Sequence, residues 1–483
     1  MADTLRPGLR LRPNEHRALL LLGDLIASIL AAFLAYYAWQ QYFIFELVRS
    51  GVNPEHAEVL VKIQGLHLPF WFYLLPLGWL LLMVELYEPH TAASWRKTLR
   101  GIAIAAFLGI VVYSLVFIFN REPTSLPRIA VGAFILFASF LTLIWRAVYI
   151  RLYRSSGLQR RVLVVGAGKA GTTLAQVYRL LTPPPFNLVG FIDDDPKKAK
   201  RSFEGFPVIG KSDQLIRLVD DYHISDLVMA INSEVSGSTF QAILDVQEAG
   251  VEVTRMPILY EEIALRVPIH HLEPDWLIRS FVDQLRVSVI YELLKRLMDM
   301  LGGFAGLLIL ALVFPFAAIA TLIDSGLPIF YSQDRLGKGG QIFKIYKFRT
   351  MKQNAEADGE AKLAEENDPR VTRVGHFLRR TRLDELPQFW NVLHGEMSLV
   401  GPRAERPELV AQFQKEIPFY RARLLVKPGL TGWAQINYGY VATVTETAVK
   451  LEYDLYYIKH RSLPMDFTVI LRTVGTVLSR KGR

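Results

Sequence analysis

The chain has 483 residues, 51% of them hydrophobic, and a positive mean hydropathy of +0.23, so it exceeds one ordinary domain and predicts membrane segments. It has no cysteine, which excludes disulfides, cysteine-held zinc and thiol catalysis, and its ten histidines show no HExxH-type spacing. A formal net charge of +9 beside so much apolar sequence favours lipid and phosphorylated substrates over nucleic acid.

The first residues carry Arg6, Arg10, Arg12 and Arg17, and an apolar run follows from Ala18 to about Phe45, interrupted by Asp24. It is too long for a signal peptide and lacks a small-residue cleavage site, which predicts a retained membrane helix. Three further runs of spanning length lie at about Leu66–Val84, Gly101–Phe119 and Ile129–Ile150. The loop near Trp95–Arg100 and the stretch after the fourth run (Arg146, Arg151, Arg154, Arg160, Arg161) are basic, whereas the loop near Gly51–Gly65 is mixed. By the positive-inside rule the N-terminus and everything after the fourth helix face the cytoplasm.

Arg161–Val165 reads as a buried strand leading into Gly166-Ala167-Gly168-Lys169-Ala170-Gly171 and a helix, and Asp193 to Asp195 close the next strand. That is a dinucleotide-type fingerprint in its proper context, with Gly166, Gly168 and Gly171 as candidate cofactor-binding positions. Strand patterns at Asp226–Ile231 and Val251–Arg255 alternate with helical ones near Asp213–Asp221 and Ser238–Ala249, predicting a Rossmann-like parallel sheet. Roughly a hundred residues suffice for one mononucleotide half, not for a full dehydrogenase. The glycines serve either a nucleotide or only the tight turn.

From Met300 to Ile323 there is no charge, enough to span a bilayer, yet Phe314-Pro315 falls inside the run. Both flanks are basic: Arg286, Lys295 and Arg296 before, Arg335, Lys338, Lys344, Lys347 and Arg349 after. Both ends therefore belong on the cytoplasmic side, which predicts a helix broken at Pro315 that enters and leaves by one face.

Arg379 to Arg403 then carries Asp384 and Glu385 side by side among Arg379, Arg380 and Arg382. Pro387 suits a first helical turn, Leu386, Phe389, Trp390 and Leu393 recur at helical spacing, and Gly395 marks the stop. The acidic pair thus sits at the positive end of a short amphipathic helix. Spacing alone leaves three roles open for Asp384: binding a divalent cation, attacking a phosphorus, or satisfying its neighbours. In the tail, Phe467, Ile470, Leu471, Val474 and Leu478 share one helical face, suiting either lipid headgroups or the domain core. The charged stretch Asp358–Asp368 reads as a solvated helix.

Four ordered blocks, KFRTM (Lys347–Met351), RLDELPQFWNVL (Arg382–Leu393), SLVGPR (Ser398–Arg403) and KPGLTGWAQ (Lys427–Gln435), resemble the catalytic domain of the polyprenyl-phosphate hexose-1-phosphate transferases, the monotopic phosphoglycosyl transferases. The resemblance covers about Val287 to the C-terminus, and the whole layout is similar to the large members that start capsule, exopolysaccharide or O-antigen synthesis. It implies a four-helix transmembrane domain (1–155), a Rossmann-like domain (156–275) and an α-rich catalytic domain (276–483) whose re-entrant helix spans about 288–325. It implies, further, a UDP-sugar (glucose or galactose) and undecaprenyl phosphate as substrates, UMP as product, Mg²⁺ as cofactor and the bacterial inner membrane as location; the extra membrane and Rossmann-like modules are compatible with a homodimer. Asp384 would be the nucleophile that forms a phosphosugar-aspartyl intermediate, with Glu385 as metal or acid/base support. Both carboxylates would be metal ligands. Arg349, Arg379 and Arg403 would contact phosphates, and Thr431 and Gln435 the uridine. Two departures stand out: Phe-Pro where small members have Ser-Pro, and Ala404 where the family continues GPRP.

Rival readings are a membrane-bound NAD-dependent nucleotide-sugar dehydratase or epimerase, and a non-catalytic scaffold of polysaccharide assembly. Tyr291 and Lys295 match the Tyr-x-x-x-Lys spacing of short-chain dehydrogenases, but abut an apolar run outside a complete dinucleotide fold.

Overall fold

The computed structural model describes residues 13–64, 69–87, 89–119, 128–153, 159–231, 236–272, 288–352, 368–439 and 443–478, which fall into two compact units, 1–254 and 255–483. Asp358 to Glu366, Arg286 and the last residues of the tail lie outside the described residues.

The first unit opens with α1 (Pro13–Arg49), followed by α2 (Pro54–Gln64), α3 (Leu75–Leu82), the single turn α4 (Pro89–Ala92), α5 (Trp95–Phe119) and α6 (Arg128–Tyr153). Helices α1, α5 and α6 are long and apolar enough to cross a membrane, as is one helix of the second unit. The span expected at Leu66–Val84 is shorter. Among the described residues it is a 3₁₀ turn (Phe70–Leu74) running into α3, and the 13 residues of Phe70–Leu82 together rise about 20 Å, less than the roughly 30 Å of bilayer hydrocarbon. The four apolar helices near the N-terminus are therefore three long ones and one short one.

Asp24, which broke the first apolar run, explains how α1 meets α6. Its carboxylate lies 2.6 Å from the Arg146 guanidinium, and both side chains are fully buried. Arg146 also donates to the Leu86 carbonyl at 2.9 Å and lies over the Tyr87 ring. One residue earlier on each helix, a Cβ on Gly23 would fall 2.1 Å from Trp145, so only glycine allows this approach. The same unit then folds a six-stranded sheet from β1 (Arg161–Val165), β2 (Asn187–Ile192), β3 (Ser202–Phe203), β4 (Phe206–Gly210), β5 (Asp226–Met229) and β6 (Glu252–Arg255), in the order β3-β4-β2-β1-β5-β6. Strand β1 pairs in parallel with β2 and β5, and β2 with β4, while the β3–β4 hairpin is antiparallel. That hairpin carries no alternation in the sequence. Helices α7 (Lys169–Leu180), α8 (Leu215–Asp221) and α9 (Gly237–Glu248) connect the strands, as the alternating pattern requires.

The second unit starts with α10 (Met256–Ala264), so residues 256–272 pack with the C-terminal region: Val267 N–H donates to the Glu452 carbonyl, and Lys459 pairs with Glu261. Next comes α11 (Val289–Ser325), 37 residues with Pro315 inside. Helical backbone continues through Pro315, so the helix does not end there, and a change of direction at the proline, which removes one intrahelical donor, is a kink within one helix.

Both ends of α11 contact the same catalytic body. Near its start, Arg296 donates to the carbonyls of Val392 and Leu393, and a Cβ on Gly303 or Gly306 would strike Leu393 or Phe389. Just before the proline, Phe314 stacks on Phe330 at 5.7 Å, and beyond it Asp324 accepts from Val374 N–H at 3.0 Å. The opposite face exposes Leu293, Leu301, Leu308, Leu312 and Phe316.

Removing one partner of a buried ion pair leaves the other uncompensated, at about 3–5 kcal/mol. Asp24→Leu is therefore expected to lower the unfolding temperature of the detergent-solubilised protein, and Asp24→Leu/Arg146→Met to recover most of the loss.

Candidate active site

The site is assembled from the hairpin β7 (Phe330–Leu336) and β8 (Ile342–Phe348), helix α12 (Arg373–Thr381), a 3₁₀ turn (Leu383–Gln388), helix α13 (Phe389–His394) and strand β9 (Ser398–Val400). The Thr372 hydroxyl caps α12 by accepting from Gly375 N–H, and Arg382, at φ +58°, ends the helix and turns the chain into the 3₁₀ segment. The acidic pair thus occupies the first turn of a helical segment that Gly395 stops at φ +93°, as its spacing predicts.

Asp384 and Glu385 are both 8% exposed, yet their surroundings differ. Glu385 Oε1 accepts from Lys347 Nζ at 3.0 Å and from Arg403 at 2.8 Å, and Arg382 lies 3.6 Å from Oε2. Burial raises its pKa, but the charges of Arg403, Lys347 and Arg382 outweigh burial and hold it well below the usual carboxylate range. Asp384 has no hydrogen bond or ion pair among the described residues. Burial and then the Glu385 charge push it up to about 6, against the pull of Lys347, Arg379 and Arg403. One carboxylate is consumed by cations, while its neighbour is held in their field and left free.

Lys347 was readable but not singled out. Along β8, Phe343, Ile345 and Lys347 share the inward-facing parity, and a lysine on a buried face needs a carboxylate. Burial lowers its pKa, with Glu385 opposing. Arg379 points its Nε at the Thr350 hydroxyl, 2.9 Å away, and Asp384 supports its charge.

Arg349 differs from expectation. Its guanidinium donates to the carbonyls of Ser325 (2.6 Å), Gly326 and Leu327 (2.8 Å), so it caps the C-terminal end of α11 instead of standing ready for an anion. Strand β10 (Gly429–Thr431) pairs in parallel with β9 and leads into α15 (Trp433–Asn437), past α14 (Pro407–Glu416). The Thr431 hydroxyl is engaged with Thr473 at 2.7 Å, whereas the Gln435 side-chain oxygen is buried without a partner. Thr473 lies on the last helix, α17 (Leu463–Leu478), which follows α16 (Val444–His460). In the tail helix Asp466 and Val469 are fully buried and Ile470 packs against the domain core, while Phe467 and Leu471 of the same apolar face are half-buried.

Among the described residues no three His, Asp or Glu side chains cluster as a metal cage. A magnesium ion needs only one or two carboxylates plus substrate phosphates, and Asp384 offers one. Glu385, expected as a second ligand, is already balanced by three cations, so the donor set fits the ion at Asp384 alone. In the first unit, Gly166, Gly168, Lys169, Asp193, Lys198 and Thr239 line a cavity of about 600 Å³. A Cβ on Gly171 would fall 2.1 Å from the Gly166 carbonyl, the close helix–strand approach expected of the third glycine.

The bacterial sugar transferase family matches residues 290–480, and the CoA-binding domain family matches residues 83–257. The UDP-galactose-lipid carrier transferase of Erwinia amylovora is 32% identical over 356 residues, 68% of this chain and 71% of that protein. The UDP-glucose:undecaprenyl-phosphate glucose-1-phosphate transferase of Escherichia coli K12 is 33% identical, covering 66% of this chain and 68% of that protein. This chain belongs to the bacterial sugar transferases. A further relative of the transferase is the UDP-N-acetylgalactosamine-undecaprenyl-phosphate N-acetylgalactosaminephosphotransferase of Aeromonas hydrophila, 42% identical over 48% of the chain, which spans about half (54%) of that relative's length.

A carboxylate whose pKa is raised on folding weakens the folded state once ionised. The cost is absent below pH 4 and complete above about pH 6. Asp384→Asn removes it, so this variant of the transferase is expected to melt above wild type at pH 8, by about 2–4 °C per kcal/mol recovered, with the gap closing toward pH 4. Thermal unfolding at both pH values checks this.

Proposed function

We propose that this transferase moves a sugar-1-phosphate from a UDP-sugar to undecaprenyl phosphate, with Asp384 as nucleophile. One observation carries the assignment of Asp384: of two adjacent buried carboxylates, Glu385 is held by Lys347, Arg403 and Arg382, whereas Asp384 has no side-chain partner among the described residues. An Asp384 oxygen attacks the sugar-bearing phosphorus, the bond to the UMP oxygen breaks, and UMP departs. The product is a mixed anhydride between Asp384 and the sugar phosphate. A lipid phosphate oxygen then attacks the same phosphorus, the aspartyl bond breaks, and Asp384 is regenerated with the sugar diphosphate on the lipid. Splitting the displacement into two steps keeps two anionic substrates from having to meet at once.

Arg403 and Arg379 flank the pair and hold the charge that builds on the phosphoryl oxygens, while Glu385 keeps Arg403 and Lys347 in place. Asp384 would help to hold Mg²⁺, and the ion, when bound, would supply further neutralisation of the diphosphate charge. Capping of α11 by Arg349 makes it a structural contributor in this scheme. The relatives' names specify galactose, glucose and N-acetylgalactosamine, so the donor is proposed at the level of a UDP-hexose.

The topology proposed is a re-entrant α11, with the catalytic body on the cytoplasmic face of the inner membrane. Supporting it are the basic flanks of the helix and the contact of both of its ends with one catalytic body. The cavity lined by Gly166 and Gly168, with Gly171 packed behind the loop, is proposed to take the phosphates of a nucleotide, on the strength of its glycine loop and its two lysines, Lys169 and Lys198.

Purified protein with Mg²⁺, undecaprenyl phosphate and a panel of UDP-sugars is expected to release UMP with one or two of them. Asp384→Asn should lower turnover at least a thousandfold, by analogy with other covalent nucleophiles; an active Asn variant would exclude Asp384. Because the chain has no cysteine, single-cysteine labelling has no background. Ser288→Cys and Lys338→Cys should both resist an impermeant maleimide in intact spheroplasts and react after lysis. External labelling of the second would refute the re-entrant arrangement.

A further inference from the structure

Tyr291, Lys295 and Asp299 follow one another at four-residue spacing and share a face of α11. The first two are the pair that matched a dehydrogenase motif, and all three are bonded into the catalytic body. Lys295 Nζ donates to the Val400 carbonyl at 3.1 Å, to the Tyr457 hydroxyl at 3.3 Å and to Asp466 at 3.0 Å. The Tyr291 hydroxyl donates to Asp466 Oδ2 at 3.0 Å, and the Tyr457 hydroxyl bonds Oδ1 at 2.7 Å. Asp299 accepts from the Ser398 hydroxyl at 2.9 Å and from Leu399 N–H at 2.8 Å.

The three residues of β9 are thus gripped at both ends by one helix, Asp299 at the start and Lys295 at the finish. Little freedom remains between this grip and the active site. A Cβ on Gly401 would lie 2.5 Å from the Lys427 carbonyl, Pro402 has a fixed φ, and the Arg403 carbonyl accepts from Arg423 at 3.0 Å. Register set at Val400 is carried to Arg403, whose guanidinium meets Glu385.

Strand β9 is buried on both faces, so burial alone specifies its register weakly, whereas bonds to particular N–H and C=O groups fix it. We propose that the Tyr291–Lys295–Asp299 face, with Asp466 and Tyr457, is a positioning clamp that sets Arg403 for phosphoryl transfer. The proposal rests on reading Arg403 as a phosphate contact.

A double-mutant cycle on UMP release tests it. Arg403→Ala should lower kcat by about 10²–10³-fold, the loss typical of one charge-stabilising donor. Lys295→Met should lower kcat by at least about tenfold while KM for the UDP-sugar moves less than threefold, and the double variant should be no worse than Arg403→Ala alone, because both act through the same guanidinium. A purely structural lysine would give losses that multiply. If Lys295→Met does not fold, leaving Asp466 unpaired, Ser398→Ala takes its place in the same cycle, with Ser398→Thr as the rescue that restores the hydroxyl. Multiplying losses with an impaired Arg403→Ala would overturn the clamp alone. A fully active Arg403→Ala would remove the reading of Arg403, and the clamp with it.

Discussion

Two carboxylates on consecutive residues, both nearly inaccessible to water, repel one another and each lose hydration, and the catalytic body is built around the unequal answer to that problem. Three cations drawn from β8, from the turn after α12 and from the loop after β9 gather on Glu385. Asp384 feels their charge without being bonded to any of them. At the low effective dielectric of such a place an ion pair held at 3 Å is strong, but a carboxylate saturated with donors is a poor nucleophile. Dividing the cations unequally resolves this, with Glu385 bonded to all three and Asp384 bonded to none of them.

The scaffold for that arrangement is a helix whose other face is suited to lipid. α11 exposes leucines and phenylalanines on one side, while the other presents glycines that admit Phe389 and Leu393, an arginine that caps α13, and the polar groups that hold β9. Close approach at glycine and hydrogen bonds to backbone are both geometrically strict, so the helix fixes where the chemistry sits in addition to anchoring it. Such a division suits a reaction between one substrate in water and one in the bilayer.

The first unit follows the same physics in two settings. Among the membrane helices a single buried ion pair, next to a glycine crossing, specifies how α1 meets α6. In the sheet, the glycine loop after β1 leaves the start of α7 without a side-chain cap, and the Ala167 amide is met by the Asp193 carboxylate at 2.8 Å.

Local patterns determined the strands at Arg161–Val165 and Asp226–Met229, the helices between them, the 3₁₀ start at the acidic pair and the glycine stop at Gly395, because periodicity, caps and turn residues act within a few positions of one another. The four ordered blocks likewise identified Asp384, Glu385 and Arg403 as members of one site. Contacts between distant residues were decided by tertiary structure. Lys347 meets Glu385 only because β8 packs beside the 3₁₀ turn, and Arg349, basic and adjacent, is spent on the end of α11 because that end lies within its reach. Pro315 suggested an interruption, since a missing donor is visible in sequence, but that helical backbone continues on both sides of it is decided by the packing of α11 on the catalytic body. The pairing of Asp24 with Arg146, 122 residues away, and the convergence of Tyr291, Lys295 and Tyr457 on Asp466 leave no trace in spacing, because which buried charge finds which partner is settled only when the faces that carry them pack together.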